Sequence, residues 1–243
     1  MITGVPGSGT RVFLRVVRHG GRFMGTNLNE EGDARVFGRW ARDWIAPYWR
    51  ARLRGELPVG HEEMVRQYRS ELERHLADLP DPSTPWGWKQ PRALFLVPFL
   101  HAMHPDMKLL HVVRDGRDFA NKTGFGPIRF DHVFLDAAGL AEPRPVRTTL
   151  LWRELTAMVD DYAAHELRGR YLAVRLEALV KSPAPTIRRI LEFAELPPDP
   201  TPAMLAEVTR PATLGRWREL GPEIGEALTR AADPSLRRFG YVT

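Results

Sequence analysis

A strand, a glycine loop and a helix open this chain, and that junction restricts its fold more than any other stretch. Ile2 to Val5 is a short apolar run, Pro6-Gly7-Ser8-Gly9-Thr10 follows, and Val12, Phe13, Val16 and Val17 then recur at helical spacing. Such a junction aims several backbone N–H groups and the positive end of a helix dipole at one point, an arrangement that suits an oxyanion. Gly4 to Arg11 nearly fits the phosphate-loop pattern G-x-x-x-x-G-K-[ST], but Thr10 takes the lysine position and Arg11 the position of the magnesium-binding hydroxyl. Backbone binding of phosphate survives these replacements. The grip on β- and γ-phosphates and on Mg²⁺ is lost, so ATP or GTP chemistry lacks its usual parts.

Beyond the junction, Ala34 to Arg54 carries Phe37, Trp40, Trp44 and Trp49 at near-helical spacing, and Glu62 to Leu79 repeats the pattern with Met64, Tyr68, Leu72 and Leu76. These aromatics read as core. Arg92 to Met103 is a further predicted helix and Lys108 to Val113 a strand, which places Arg114 at a strand's carboxyl end. Gly124 to Pro145 is rich in glycine and proline and reads as a loop suited to a lid. Val146 to Glu166 returns to helix, Arg170 to Arg175 to strand, and a helix from Ser182 or Pro183 carries Ile187, Ile190, Leu191 and Ala194. Short helices separated by prolines are expected after it. Strands alternating with helices predict an α/β fold: a phosphate-loop-like parallel sheet with helices on both faces, in which helical and loop insertions form an acceptor cleft.

At 243 residues one domain spanning 1–243 is expected. The net charge of +5 fits a polyanionic small ligand, a nucleic acid or a membrane surface, and rests on arginine, because only Lys89, Lys108, Lys122 and Lys181 are lysines. There is no cysteine, which removes disulfides and thiolate metal sites. No apolar run approaches the roughly 20 residues a bilayer span needs, and glycines, Pro6 and Arg11 interrupt the start as no signal peptide would. A cytoplasmic protein without a membrane span is expected. No nucleic-acid motif is present.

P-x-S-G-T after a first strand resembles the 5′-phosphosulfate loop of the sulfotransferases that use 3′-phosphoadenosine 5′-phosphosulfate (PAPS). Three further stretches follow in that family's order. Leu109 to Phe119, LLHVVRDGRDF, is similar to the strand ending R-D-x-R-D, whose arginine binds the 3′-phosphate and maps onto Arg114. Val174 to Leu196 resembles the R-Y-E-D-L segment and the helix after it, and Gly215-Arg216-Trp217-Arg218 precedes a terminal Phe239-Gly240-Tyr241. The resemblance implies transfer of a sulfuryl group from PAPS to a hydroxyl or amine. It implies Pro6, Gly7, Ser8, Gly9, Thr10, Arg11, Arg114, Lys122, Arg216 and Trp217 as nucleotide-binding residues and needs no metal. The acceptor is expected to be a small molecule or a saccharide.

Trp88-Lys89-Gln90-Pro91 resembles the K-x-P element that tyrosylprotein and some bacterial sulfotransferases place beside the transferred group. Lys89 is accordingly the candidate catalytic cation, suited to charge building on a leaving phosphate oxygen. For the general base, Asn29-Glu30-Glu31-Gly32-Asp33 lies where related enzymes carry a carboxylate. Glu30 is the first choice, with Glu31 and Asp33 as alternatives and His19 and His132 as other candidates. His101 and His104 share helical spacing but have no further ligands to complete a metal site. The chain departs from the family at Gly7, where lysine or arginine is common and for which Lys89 or Arg11 is a substitute. It departs also at Lys122, where serine is usual, and at Leu176 and Ala178. The competing readings are a nucleoside or small-molecule kinase on the same architecture and a non-catalytic nucleotide-binding protein. Phe23 to Trp49 and Gly124 to Pro145, the expected acceptor walls, carry no specificity motif, and nothing in the sequence sets the oligomeric state.

Overall fold

Three short apolar runs build the sheet of the computed structural model, which describes residues 1–57, 60–122, 124 and 126–242. β1 (Ile2–Thr3), β2 (Leu109–Val113) and β3 (Tyr171–Arg175) lie in the order β1-β2-β3, all parallel, with Ile2 opposite Leu110 and Leu110 opposite Leu172. A one-residue parallel bridge between Ile2 and Lys89 extends the β1 edge; the Ile2 N–H donates to Trp88 O at 2.9 Å and the Gln90 N–H to Ile2 O at 3.2 Å. β1 ends sooner than the expected Ile2–Val5. Gly4 presses against the Val112 carbonyl, and Val5 O already accepts the Ser8 N–H at 2.9 Å to close the turn.

The helices are α1 (Thr10–His19), α2 (Arg35–Leu53), α3 (His61–Leu76), α4 (Val97–Met103), α5 (Asp131–Phe134), α6 (Ala137–Ala141), α7 (Arg144–Glu166), α8 (Leu176–Lys181), α9 (Pro183–Phe193), α10 (Pro202–Ala206) and α11 (Pro222–Arg238). Alternation along the strands divides the core in two. Ile2, Leu110, Val112, Leu172 and Val174 pack under Phe13, Val16 and Val17 of α1 and Ile187, Ile190 and Leu191 of α9. Leu109 and Val113 meet Leu151, Trp152, Leu155 and Val159 of α7, with α2, α3 and α11 behind them. Each such buried side chain contributes about 1.5–3 kcal/mol.

Two expectations are corrected. Gly124 to Pro145 is not simply loop: its described residues form a 3₁₀ turn at Gly126–Phe130, then α5 and α6; Phe125 lies outside the described residues. Two aromatics anchor this stretch, since Phe130 and Phe134 pack on Phe95 at ring separations of 5.4 and 5.5 Å. The carboxyl-terminal part is not all short helices either. α11 runs 17 residues through Pro234 because Leu228, Ala232 and Leu236 form one buried stripe. Ser235 Oγ also donates to Arg153 O of α7, at 3.2 Å.

Parallel strands bring their carboxyl ends to one edge. The glycine loop leaves β1 there, Arg114 leaves β2 and Glu177 follows β3, the edge at which open α/β sheets bind ligands.

Candidate functional site

Gly9, with φ of 84°, caps α1 in a left-handed conformation, and Gly7, with φ of 105°, makes the preceding bend. A Cβ on Gly9 would meet Leu176 Cδ2 at 2.8 Å, and one on Gly7 would run into the Lys122 ammonium. The loop therefore lies flat against its neighbours, with the amino end of α1 behind it. Ser8 is buried, and its Oγ has no hydrogen-bond partner among the described residues.

Arg114 crosses from β2 to this loop. Nη1 donates to Gly7 O at 3.3 Å, Nε and Nη2 to Asp118 Oδ2 at 3.1 and 2.9 Å, and Nη2 also to the backbone and side-chain oxygens of Thr213. Asp118 is fully buried and also accepts the N–H groups of Gly215, at 2.9 Å, and Trp217, at 3.4 Å. One carboxylate thus ties the segment 215–217 to the end of β2, and Arg114 adds Thr213. Arg117 is held by Asp115 through Nη2 at 2.7 Å and lies 3.7 Å over the Trp217 ring, with Arg218 at 4.6 Å from it. Below them the Asp115 N–H donates to Glu177 Oε1 at 3.0 Å and the Tyr241 hydroxyl to Glu177 Oε2 at 2.8 Å; burial raises the Glu177 pKa.

Lys122 completes the wall. Its half-buried Nζ donates to Pro6 O at 2.9 Å, and burial, then the charge of Arg114, lowers its pKa. The enclosed cavity has a volume of about 380 Å³. Gly7, Arg114, Arg117, Lys122, Arg216 and Trp217 line it together with Asp118, Phe119 and Glu219, so four cations face two carboxylates. A second cavity of about 440 Å³ opens at the amino-terminal edge of the strands between Ile2, Met24, Trp86 and Phe193. It lacks the glycine loop, and the chemistry assigns the candidate site to the first.

Of the expected residues, Gly7, Arg114, Lys122, Arg216 and Trp217 line the cavity, and Lys122 reaches Pro6; Ser8, Gly9, Thr10 and Arg11 are not in its lining. Lys89 is not at that cavity. Its ammonium is 1% exposed, pairs with Asp33 and donates to Glu31 O at 2.7 Å; burial lowers its pKa, and Asp33 works against that shift. Arg11, exposed on the first turn of α1, is close enough to add to the lowering. Lys89 therefore holds the turn that carries Glu30, Glu31 and Asp33. Asp33 meets the ammonium, while Glu30 and Glu31 are exposed. His19 binds Glu207 at 3.3 Å and His132 is exposed. His101 and His104 face different partners, Tyr162 at 2.8 Å and Tyr68 at 2.6 Å. Among the described residues no group of three or more His, Asp or Glu could hold a metal ion, and no helix is long and apolar enough to cross a membrane.

Sequence reasoning gave no site role to Asp118, Arg117, Thr213, Glu177 or Tyr241. Asp118 had a signal, the second acid of R-D-x-R-D; Thr213 had none.

A profile of the Sulfotransferase family matches residues 1–200. The chain belongs to the sulfotransferase family. Its fold is similar to that of a sulfotransferase from Alicyclobacillus acidocaldarius, with a TM-score of 0.57 at 16% identity over 98% of this chain and 92% of that one. The sulfotransferase domain of the Synechococcus PCC 7002 olefin synthase superposes with a TM-score of 0.55 at 15% identity, over 100% and 94% of the two chains. A sulfotransferase from Mycobacterium tuberculosis H37Rv gives 0.54 at 14%, over 96% and 75%. No curated protein sequence matches the chain at a significant level. These likenesses are of fold, and agree with the phosphate-loop-like α/β architecture described above.

Proposed function

We propose that this sulfotransferase uses PAPS as donor and passes its sulfuryl group to a hydroxyl or amine of a small-molecule or saccharide acceptor. The convergence of the glycine loop, Arg114 and Lys122 on one cation-rich cavity carries this reading. Its parts suit a 5′-phosphosulfate and a 3′-phosphate: a glycine loop at the amino end of α1, with the Ser8 hydroxyl unpartnered among the described residues, and the guanidinium and ammonium groups of Arg114, Arg117, Lys122 and Arg216 that line the cavity with Gly7. Thr10 and Arg11, where an ATP site needs lysine and a magnesium-binding hydroxyl, favour this donor over a nucleoside triphosphate.

In the transfer, the acceptor oxygen or nitrogen attacks sulfur in line. The bond from sulfur to the bridging phosphate oxygen breaks as the new O–S or N–S bond forms. The nucleotide leaves as 3′-phosphoadenosine 5′-phosphate (PAP), and the acceptor proton passes to a base. Cations at the loop stabilise the charge that builds on the leaving oxygen. Glu30 is the proposed base, with Glu31 and Asp33 as alternatives; Glu30 and Glu31 are exposed, whereas Lys89 engages Asp33.

Calorimetry with PAP in the absence of magnesium, beside ATP with magnesium, tests the donor. PAP is expected to bind more tightly, and labelled PAPS to pass its sulfate to members of an acceptor panel. Tighter binding of ATP with magnesium would overturn the assignment.

A further inference from the structure

We propose that Lys122 is the cation of the glycine loop: its ammonium, delivered from the segment after β2 into the space beside Gly7, meets the negative charge held at the amino end of α1. The inference rests on the nucleotide reading above and names a catalytic residue within it.

Three observations converge on Lys122. Its Nζ donates to Pro6 O at 2.9 Å, on the loop itself, although the two residues lie 116 positions apart. Gly7 has a φ of 105°, which favours glycine whatever its neighbours, and a Cβ there would start in the space that the ammonium fills, so the cation beside residue 7 arrives from outside the loop. Finally, Lys122 sits beside Arg114, a like charge, with no acidic partner among the described residues, whereas Arg114 has Asp118 and Lys89 has Asp33. Two cations held together at a half-buried wall, one without a counter-charge, form an arrangement that an anion relieves. Ser8, the next residue of the loop after Gly7, is buried with its hydroxyl unpartnered among the described residues. Lys89 offers no equivalent, since its charge is balanced and its ammonium is closed off from the cavity. When the sulfur–oxygen bond breaks, the charge appears on the phosphate oxygen nearest the loop, and Lys122 is the cavity's ammonium at that end.

The experiment compares two probes, PAP and adenosine 5′-phosphosulfate, which keeps the 5′-end but lacks the 3′-phosphate. Calorimetry is run on wild type, Lys122→Ala and Lys122→Gln, with the unfolding midpoint of each measured first. Both variants are expected to melt near wild type and to bind both probes about tenfold or more weakly, by similar factors, as loss of a charged contact predicts. Turnover with labelled PAPS is expected to fall further than binding. A loss confined to PAP would overturn the proposal and move Lys122 to the 3′-phosphate; unchanged binding of both probes would also overturn it. If wild type binds neither probe, it is the nucleotide reading that fails. Gly7→Ala supplies a separate check: its cost in affinity is expected to be smaller in the Lys122→Ala background than in wild type, and equal costs would show that only backbone strain is at work.

Discussion

Asp118→Asn tests whether one buried carboxylate keeps the cavity assembled. The amide is nearly the same size, so no hole is left. Its carbonyl can stay at the Oδ2 position, where Arg114 Nε and Nη2 and the Gly215 N–H all donate, and its NH₂ then turns toward the weaker Trp217 N–H contact. The main loss is the counter-charge of Arg114, whose side chain is 8% exposed. Breaking a buried pair from one side costs about 3–5 kcal/mol, and the low end applies because Arg114 keeps its bonds to Gly7 O and Thr213. An unfolding entropy of about 2.1 cal/mol/K per residue over 243 residues is about 0.5 kcal/mol/K, so 3 kcal/mol lowers Tm by about 6 °C. Saturating PAP should narrow that gap, since its phosphate returns the negative charge that the variant lacks. Differential scanning calorimetry with and without PAP reads both effects. A variant melting within about 1 °C of wild type, or a gap that widens with PAP, would refute the reasoning.

Ser8→Ala should leave the ligand-free protein as stable or slightly more so, because it removes a buried hydroxyl without a partner, yet weaken PAP by about 1 kcal/mol or fivefold in calorimetry. Among Glu30→Gln, Glu31→Gln and Asp33→Asn, the first is expected to lower turnover by about 10² at unchanged PAP affinity. Asp33→Asn should instead lose about 3 kcal/mol of stability by stripping Lys89 of its counter-charge, and three fully active variants would exclude the turn as the source of the base. His111 gives the pH dependence: it is fully buried with its pKa lowered from 6.5 to about 3, so below pH 6.5 the unfolded chain binds the extra proton and stability falls with pH, by about 2 kcal/mol at pH 5. Chemical denaturation of His111→Gln should show a flatter slope than wild type between pH 6 and 4.

What the sequence disclosed and what it withheld divide along the distance over which each feature is decided. The glycine loop was legible because the feature that makes it a site, left-handed glycines at a strand-to-helix junction, is local, and Arg114 was legible because a strand's end sets its place. Pro234 and the glycine- and proline-rich stretch from Gly124 misled for the complementary reason. Local breakers were outweighed by burial against α7 and against Phe95, and nothing near them in sequence announces those neighbours. The same holds inside the site. Asp118 stood in a recognised stretch, but its role depends on Gly215 and Trp217, almost a hundred residues on. Gly7 and Lys122 each read as a departure when considered alone, one a missing charge and the other a misplaced one. The fold brings the two to a single point, where the space left by the first is filled by the ammonium of the second, so the pair forms one feature that neither residue reveals by itself.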